Sequence, residues 1–373
     1  MTTLRWREIG PVVTEPDLFA EITARFPPEE LLFLRRARRR AERVRPYAGL
    51  KVLHNVPLTA ETMCKIEVLA VGGADLVVSS PGFMSPDRRC VEALRTAGIE
   101  FRAEYRFREE FDVVLDCGGE LQPLVTPRLG VCELTGTGTR RYRAAEPGCP
   151  VIAVDESRVK DLEALLGTGR GFVHAFRRLV PEPINGQPFL VLGYGKVGRG
   201  IVRALAPYTN RIAVVDVDAG AVAAAKAIGC AAVHAGERDV VSDWARQAFA
   251  VVTATGVPGV VTTCYDPGAF RGAHLANMGG EDEFGAAFAA DDVLCGKRPV
   301  NFAASDPGLV RYLDPVFHAH NLGIDLLSYA RPRPGVHPFP DFLADEIVDS
   351  WQRVFGEPLD VEPDLRCDAG RRA

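Results

Sequence analysis

Residues 189–208 read FLVLGYGKVGRGIVRALAPY. Four apolar residues run straight into Gly193, Gly195 and Gly198, and these run straight into a helical pattern. A strand must end there, the backbone must turn sharply and come close to a ligand, and a helix must begin with its first N–H groups unpaired. That combination is how an α/β protein receives a dinucleotide pyrophosphate. The next apolar strand, RIAVVD, ends in Asp216, 23 residues beyond Gly193, where a carboxylate can accept both hydroxyls of a ribose. No arginine follows Asp216 closely, so a 2′-phosphate would meet uncompensated repulsion. The pattern therefore predicts NAD rather than NADP, bound at Gly193, Gly195, Lys196, Val197, Gly198 and Asp216. Thr255 and Gly256, in VVTATGVPGVV, are expected beneath the far ribose. A glycine turn in a domain of this class without its ligand would share the motif, but strand, helix and acid together favour the bound cofactor.

The surrounding chain repeats the same alternation. Between residues 50 and 155 the runs LKVLHNV, ADLVVSS, IEFRA, DVVLDCGG and CPVIAVD are separated by helical stretches. Near-continuous apolar strands alternating with helices mean a parallel sheet covered on both faces. The segment VPEPINGQP (180–188) reads as a boundary, after which strands and helices resume to about residue 277. The expected fold class is thus α/β, with two doubly wound parallel-sheet domains, the second a Rossmann NAD-binding domain. The expected domains are 1–184 for substrate and 185–307 for NAD, with 308–373, where the periodicity weakens, returning to the first. One last helix, LADEIVDSWQRVFG, is expected near the end.

Composition narrows the function classes. With 47% hydrophobic and 25% charged residues in 373, the chain can bury two cores, and no apolar run approaches the ~20 residues that cross a bilayer. The early charges and prolines of MTTLRWREIGPVVTEPDL argue against a signal peptide, so a cytoplasmic location is expected. The nine cysteines are scattered without a Cys-x-x-Cys, which argues against a disulfide framework or zinc site. A net charge of −5 gives no reason to expect nucleic acid. The basic run FLRRARRRAERVR (33–45) reads as the solvated face of an amphipathic helix.

Several further stretches carry polar groups: LTAETMCKIE (58–67), DVVLDCGGE (112–120), CELTGTGTRR (132–141), VDESRVKDLEALLG (154–167), NMGGEDEF (277–284) and VNF (300–302). In order and spacing, and together with GYGKVGRG, they resemble S-adenosylhomocysteine hydrolase over about residues 50–305. In that family a tightly held NAD oxidises a ribose hydroxyl, the resulting ketone permits elimination and water addition, and the same cofactor reduces the ketone again. The resemblance implies that Lys160 polarises the oxidised hydroxyl with Glu163 as its partner, three residues on along a helix and hence on the same face. It places Thr135 and Thr137 at the nicotinamide and Asn277 and Asn301 among the cofactor contacts. Thr59 and Glu61 match residues that meet the base, with Asp87 and Asp306 near two other substrate positions, and a homo-oligomer, dimer or tetramer, is implied.

The elimination half departs from the family. Its second Asp in the strand-end motif is Cys117, a thiol whose ordinary pKa of ~8.5 makes it a poor carboxylate; a catalytic role and plain packing both remain open for it. Pro57 and Gly280 stand in place of imidazoles and Leu134 in place of a carboxylate. His318 and His320 form a His-x-His without a third ligand, so no metal is expected, and they are candidates to act on substrate instead. The reading that follows is an NAD-dependent enzyme oxidising a secondary hydroxyl of a nucleoside-like or sugar-like small molecule, with the ketone final or transient. Alternatives are a genuine S-adenosylhomocysteine hydrolase with substituted residues and a catalytically silent NAD-binding sensor.

Overall fold

The structure, a computed structural model, describes residues 17–303, 309–359 and 361–366. The expectation about a leader rests chiefly on residues 1–16, and that about Asp306 on a residue that also lies outside this set. Helices α1 (Leu18–Thr23) and α2 (Leu32–Val44) lead into β1 (Lys51–Asn55), α3 (Ala60–Val71), β2 (Asp75–Ser79), α4 (Arg88–Thr96), β3 (Glu100–Phe101), β4 (Val113–Asp116), β5 (Gly130–Glu133), α5 (Gly136–Ala144) and β6 (Pro150–Ala153). Then α6 (Arg158–Asp161), a π-helical turn (Leu162–Gly167) and α7 (Thr168–Leu179) connect to a second series. That series is β7 (Phe189–Leu192), α8 (Lys196–Leu205), β8 (Ile212–Asp216), α9 (Ala219–Ala227), β9 (Ala231–His234), α10 (Arg238–Gln247), β10 (Ala250–Thr253), α11 (Val260–Cys264) and β11 (His274–Asn277). The chain closes with α12 (Val310–Asp325), β12 (Gly335–Pro338) and α13 (Asp341–Phe355).

Two parallel sheets result, one of seven strands in the order β12-β6-β5-β4-β1-β2-β3 and one of five in the order β11-β10-β7-β8-β9. Both are doubly wound, because the strand order reverses between β1 and β4 in the first and between β7 and β10 in the second. Crevices at the carboxyl ends of the strands open at those reversals, where α/β proteins bind ligands. The strands are buried on both faces. Val52, Leu115 and Ile152 pack under α2, α3, α12 and α13, while Leu53, Val114 and Val131 pack against Phe111 and Tyr142.

Several elements sit otherwise than their sequence suggested. The irregular-looking stretch after residue 308 contains the 16-residue helix α12, with Pro315 inside it; proline and glycine interruptions had obscured its period. Strand β12 pairs with β6 at the edge of the first sheet, yet the segment after α13 crosses to the second. Arg203 donates to the carbonyls of Pro358 and Leu359, and Leu365 enters the second sheet's core. Helix α7 also belongs to that core through Phe172 and Phe176, so its packing begins well before residue 185. The arginine-rich α2 does present a solvated face, burying Phe33, Leu34 and Ala41. No helix among the described residues is long and apolar enough to cross a membrane.

Helix α2 starts without a cap from its own sequence. Buried Asp314, on α12, supplies one from 280 residues away, accepting the N–H groups of Phe33 and Leu34 at 2.8 Å each. Orphan donors at a helix start need such an acceptor. Asp314→Ala is expected to lower the unfolding free energy by about 1–3 kcal/mol, and Asp314→Asn, which keeps an acceptor oxygen, by less. Urea titrations of the three proteins check this; equal midpoints would contradict it.

Candidate functional site

The three glycines of the β7–α8 turn are each required for a different reason. Gly193 has φ +96°, and a Cβ there would lie 2.4 Å from the Ala254 carbonyl. A Cβ on Gly198 would lie 1.9 Å from the Gly193 carbonyl, so the turn and helix could not close. Gly195 faces open space, with nothing among the described residues within 4 Å of the place its Cβ would take, and it caps α8 without a side-chain acceptor. The helix start is thus left bare for a ligand oxygen. Asp216, at the tip of β8, accepts from the backbone N–H of Tyr194 at 2.6 Å and of Asp218 at 2.8 Å, which fixes its carboxylate beside the turn. These residues fit a dinucleotide: a turn only glycine allows, an open approach, unpaired N–H groups and a positioned ribose acceptor.

Not every residue of the motif faces the ligand. Lys196 reaches back instead to the Asp155 carbonyl at 2.7 Å and to Asp161 at 2.8 Å, so it ties α8 to the first sheet's loops rather than contacting a pyrophosphate. The Val197 side chain packs against the second core, leaving only its backbone for a cofactor. Thr255 is similarly committed. Its N–H, its hydroxyl and the Gly256 N–H all donate to Glu283, at 2.9, 2.8 and 2.6 Å. Burial raises the Glu283 pKa, against the pull of these donors. Asn277 accepts from Thr253 and donates to the carbonyls of Gly279, Glu281 and Lys297. Its amide is saturated, so it holds the loop and has nothing left for a cofactor. Asn301 lies against α7, 3.4 Å from where a Gly171 Cβ would be.

Across the crevice, Lys160 on α6 donates to Glu163 on the π-helical turn at 2.8 Å, with its side chain only 10% exposed. Burial opposes the ammonium, but the Glu163 and Asp155 carboxylates outweigh it and raise its pKa above the ordinary lysine value. The amine is therefore a charged donor at neutral pH. This segment is locked onto the dinucleotide helix: a Gly200 Cβ would lie 2.4 Å from the Ala164 carbonyl, and a Gly169 Cβ 2.0 Å from the Gly200 carbonyl. Lys160, the π turn and the glycine-rich turn of α8 thus move together.

Cys117 sits buried next to β4 with its thiol pushed well above the usual value, chiefly by burial and then by Glu133. Protonated at neutral pH, it is unsuited to replace a carboxylate. Thr135 caps α5 and is fully used: its hydroxyl donates to Glu133 at 2.6 Å and accepts from Gly118 and Gly138 N–H. That corrects its placement at a nicotinamide. Thr137 instead receives Arg140 at 3.3 Å, and the Arg140 guanidinium extends toward Gly256 on the second sheet. Two buried carboxylates that the motif reading passed over organise this corner. Glu133 also accepts from the N–H groups of Gly118 and Gly119, and Asp116 from Asn55, Cys117, Leu121 and Tyr142. Burial and the Asp116 charge push Glu133 up to about 8. An acid closing an apolar strand was the available signal.

The expected substrate contacts divide. Thr59 caps α3 and Glu61 lies half-buried in its first turn, near the β1–β4 reversal. Asp87 is exposed and caps α4 through Arg89 and Cys90 N–H, a structural role. His318 stacks on Phe33 with ring centroids 5.6 Å apart, and burial lowers its pKa to about 4. It faces the α2 packing and not the crevice. His320 is completely buried, with Nε2 2.8 Å from the Cys132 carbonyl, so neither imidazole is a direct substrate contact. For the cofactor side, Asp216→Asn is expected to weaken NAD binding roughly 10-fold, since each ribose bond to a carboxylate is worth about 1.5–3 kcal/mol. Calorimetric titration with NAD checks it, and an unchanged affinity would contradict the assignment.

Comparisons with known proteins bear on the class of the chain and of its second unit. Residues 189–265 match the TrkA-N domain family, covering the strands and turn that build the dinucleotide cradle. The adenosylhomocysteinase of Thermotoga maritima is 32% identical over 202 residues, 47% of this chain and 50% of that protein. The S-inosyl-L-homocysteine hydrolase of Methanosarcina mazei is 26% identical over 353 residues, 81% and 84% of the two chains. That of Methanosarcina acetivorans is 30% identical over 269 residues, 65% and 64%. The chain spans about half the length of the Thermotoga relative it matches. The chain is thus similar to adenosylhomocysteinases and S-inosyl-L-homocysteine hydrolases, and its second half carries an NAD-binding Rossmann unit.

Proposed function

We propose that the protein is an NAD-dependent enzyme that oxidises a secondary hydroxyl of a nucleoside-like or sugar-like small molecule in the crevice between the two sheets. The observation that carries this reading is the backbone lock between α8 and the π turn, which holds the Lys160–Glu163 pair in fixed relation to the dinucleotide cradle. The bound nicotinamide would supply the hydride acceptor. The chain's own part is to bind and align: the bare start of α8 and Asp216 hold the dinucleotide, Lys160 donates to the carbinol oxygen, and Glu163 fixes the direction of that donation. Alignment of this kind supplies much of the rate in hydride transfer. Hydrolysis of a thioether-linked nucleoside, the activity in the relatives' names, is less well supported. Pro57 and Gly280 carry no transferable proton, and the Cys117 thiol is held protonated.

Denaturing the purified protein is expected to release NAD. Adenosine, S-adenosylhomocysteine and related nucleosides or sugars, offered to intact NAD-loaded protein, are expected to include an alcohol that reduces the dinucleotide, seen by its absorbance. Lys160→Met is expected to slow that step by roughly 10²- to 10⁴-fold while dinucleotide stays bound. Homocysteine release at a comparable rate would support the hydrolase instead. Dinucleotide that no alcohol reduces would support a sensor.

A further inference from the structure

Beneath the Lys160 corner lies a group of buried nitrogens that the proposed oxidation does not yet use. His54 is on β1, and the register pairs it with Leu115 and, one strand further, pairs Leu115 with Cys132, so His54 and Cys132 share one face of the sheet. Helices α3 and α12 cover that face side by side, the Asn321 amide donating to the Lys65 carbonyl at 3.2 Å. His54, Lys65 and His320 are all completely buried. Both ring nitrogens of His54, the Lys65 amine and Nδ1 of His320 have no hydrogen-bond partner among the described residues. Because His320 Nε2 faces the Cys132 carbonyl at 2.8 Å, Nε2 carries the hydrogen and Nδ1 presents a lone pair inward. The face of α12 bearing His320 is pressed home at both ends. A Cβ on Gly167 of the π turn would lie 2.7 Å from the Tyr312 Cβ, and one on Gly323 would lie 2.3 Å from the Cys132 sulfur.

Unpaired polar groups in a core lower stability, and an apolar side chain of similar length at position 65 would be easier to bury. Residues of this kind persist where function uses them. Resting on the oxidation proposed above, we propose that His54, Lys65 and His320 form a buried proton-carrying chamber that takes up the proton released at Lys160. In the balanced step the carbinol C–H electron pair leaves as hydride to the oxidised nicotinamide dinucleotide. The Lys160 ammonium releases one proton inward to the neutral Lys65 amine and takes the proton of the breaking carbinol O–H bond in its place, so that the ketone is formed, Lys160 ends as the ammonium it began as, and one proton rests on Lys65. Its titratable lining is consistent with such transfer. Burial brings the Lys65 amine down to about 7. Burial, and then the Lys65 charge, keeps both imidazoles neutral. The Cys132 and Cys117 thiols face Lys65 from β5 and the loop after β4, and the Lys160 charge is felt at His320 from α6.

The test has two arms. The chain has six lysines, so lysine labelled with ¹³C at Cε in the full-length protein gives few resonances to assign. One resonance is expected to titrate near 7, to vanish in Lys65→Met and to shift in His320→Gln, while Lys65→Met also displaces the Lys160 resonance. In the second arm, reduction of bound NAD by the alcohol found active above is followed against pH. In Lys65→Met the rate is expected to fall at least about tenfold, part of what a direct acid or base supplies, and to lose its limb near neutral pH, although the protein melts no lower than the parent. Titration of Lys65 with the ordinary lysines near ~10.4 would overturn the proposal, as would an unchanged pH profile in Lys65→Met. If no alcohol reduces the dinucleotide while Lys65 still titrates near neutrality, the oxidation reading fails and the chamber itself stands.

Discussion

Helix α8 and the π-helical turn meet backbone to backbone, and most of the site's geometry depends on that contact. Gly200 and Gly169 are the residues that make it possible, since a single methyl group on either would meet a carbonyl at 2.0–2.4 Å. Close backbone approach of this kind fixes separation far more tightly than side-chain packing, because no rotamer can relax it. Gly198 does the same between α8 and its own strand end. The glycine-rich turn, α8, the π turn and Lys160 therefore form one continuous rigid body. The cross-links from Lys196 to Asp155 and Asp161, and from Arg141 to Glu281, close the remaining gap between the sheets.

Around that body, buried carboxylates do what short loops cannot do for themselves. Glu133 gathers four donors from the 118–119 turn and Thr135, Asp116 gathers four from around β4, and Glu283 gathers three from Thr255 and Gly256. Each lies at or beside the carboxyl end of a parallel sheet, where loops must hold shape without regular structure and where a buried N–H needs an acceptor. Two of the same acids, Glu133 and Glu283, explain why Thr135 and Thr255 near the crevice are unavailable to a ligand. Their hydrogen bonds hold the walls of the crevice in place.

The fold class was legible in the sequence because its cues are local: apolar strands alternating with helices, and glycines at fixed spacing followed by an acid at a strand end. The Lys160–Glu163 contact was legible for the same reason, three residues apart on helical backbone. What stayed hidden depends on distant partners. Lys196 turns away from the pyrophosphate because Asp155 lies within reach, 41 residues earlier. Asn277 is consumed by carbonyls on its own loop and by Lys297. His320 and Lys65 are brought over the same face of the first sheet only because α12 and α3 lie side by side, and α12 itself was obscured by Pro315. Asp87 and Thr135 carry the right chemistry for a ligand, but each sits at an N-cap, where the helix claims it first.

The central claim is that the backbone lock sets the Lys160 pair against the cofactor. The most direct measurement is to compare NAD affinity and single-turnover reduction of bound NAD in the parent and in Gly200→Ala, with circular dichroism to confirm that both are folded. The account predicts that NAD binding changes little, because the cradle at Gly193, Gly195 and Asp216 is intact, while reduction slows by roughly 10²-fold, as expected for a misplacement of about 1 Å. Reduction at the parental rate in a folded, NAD-bound Gly200→Ala protein would contradict it.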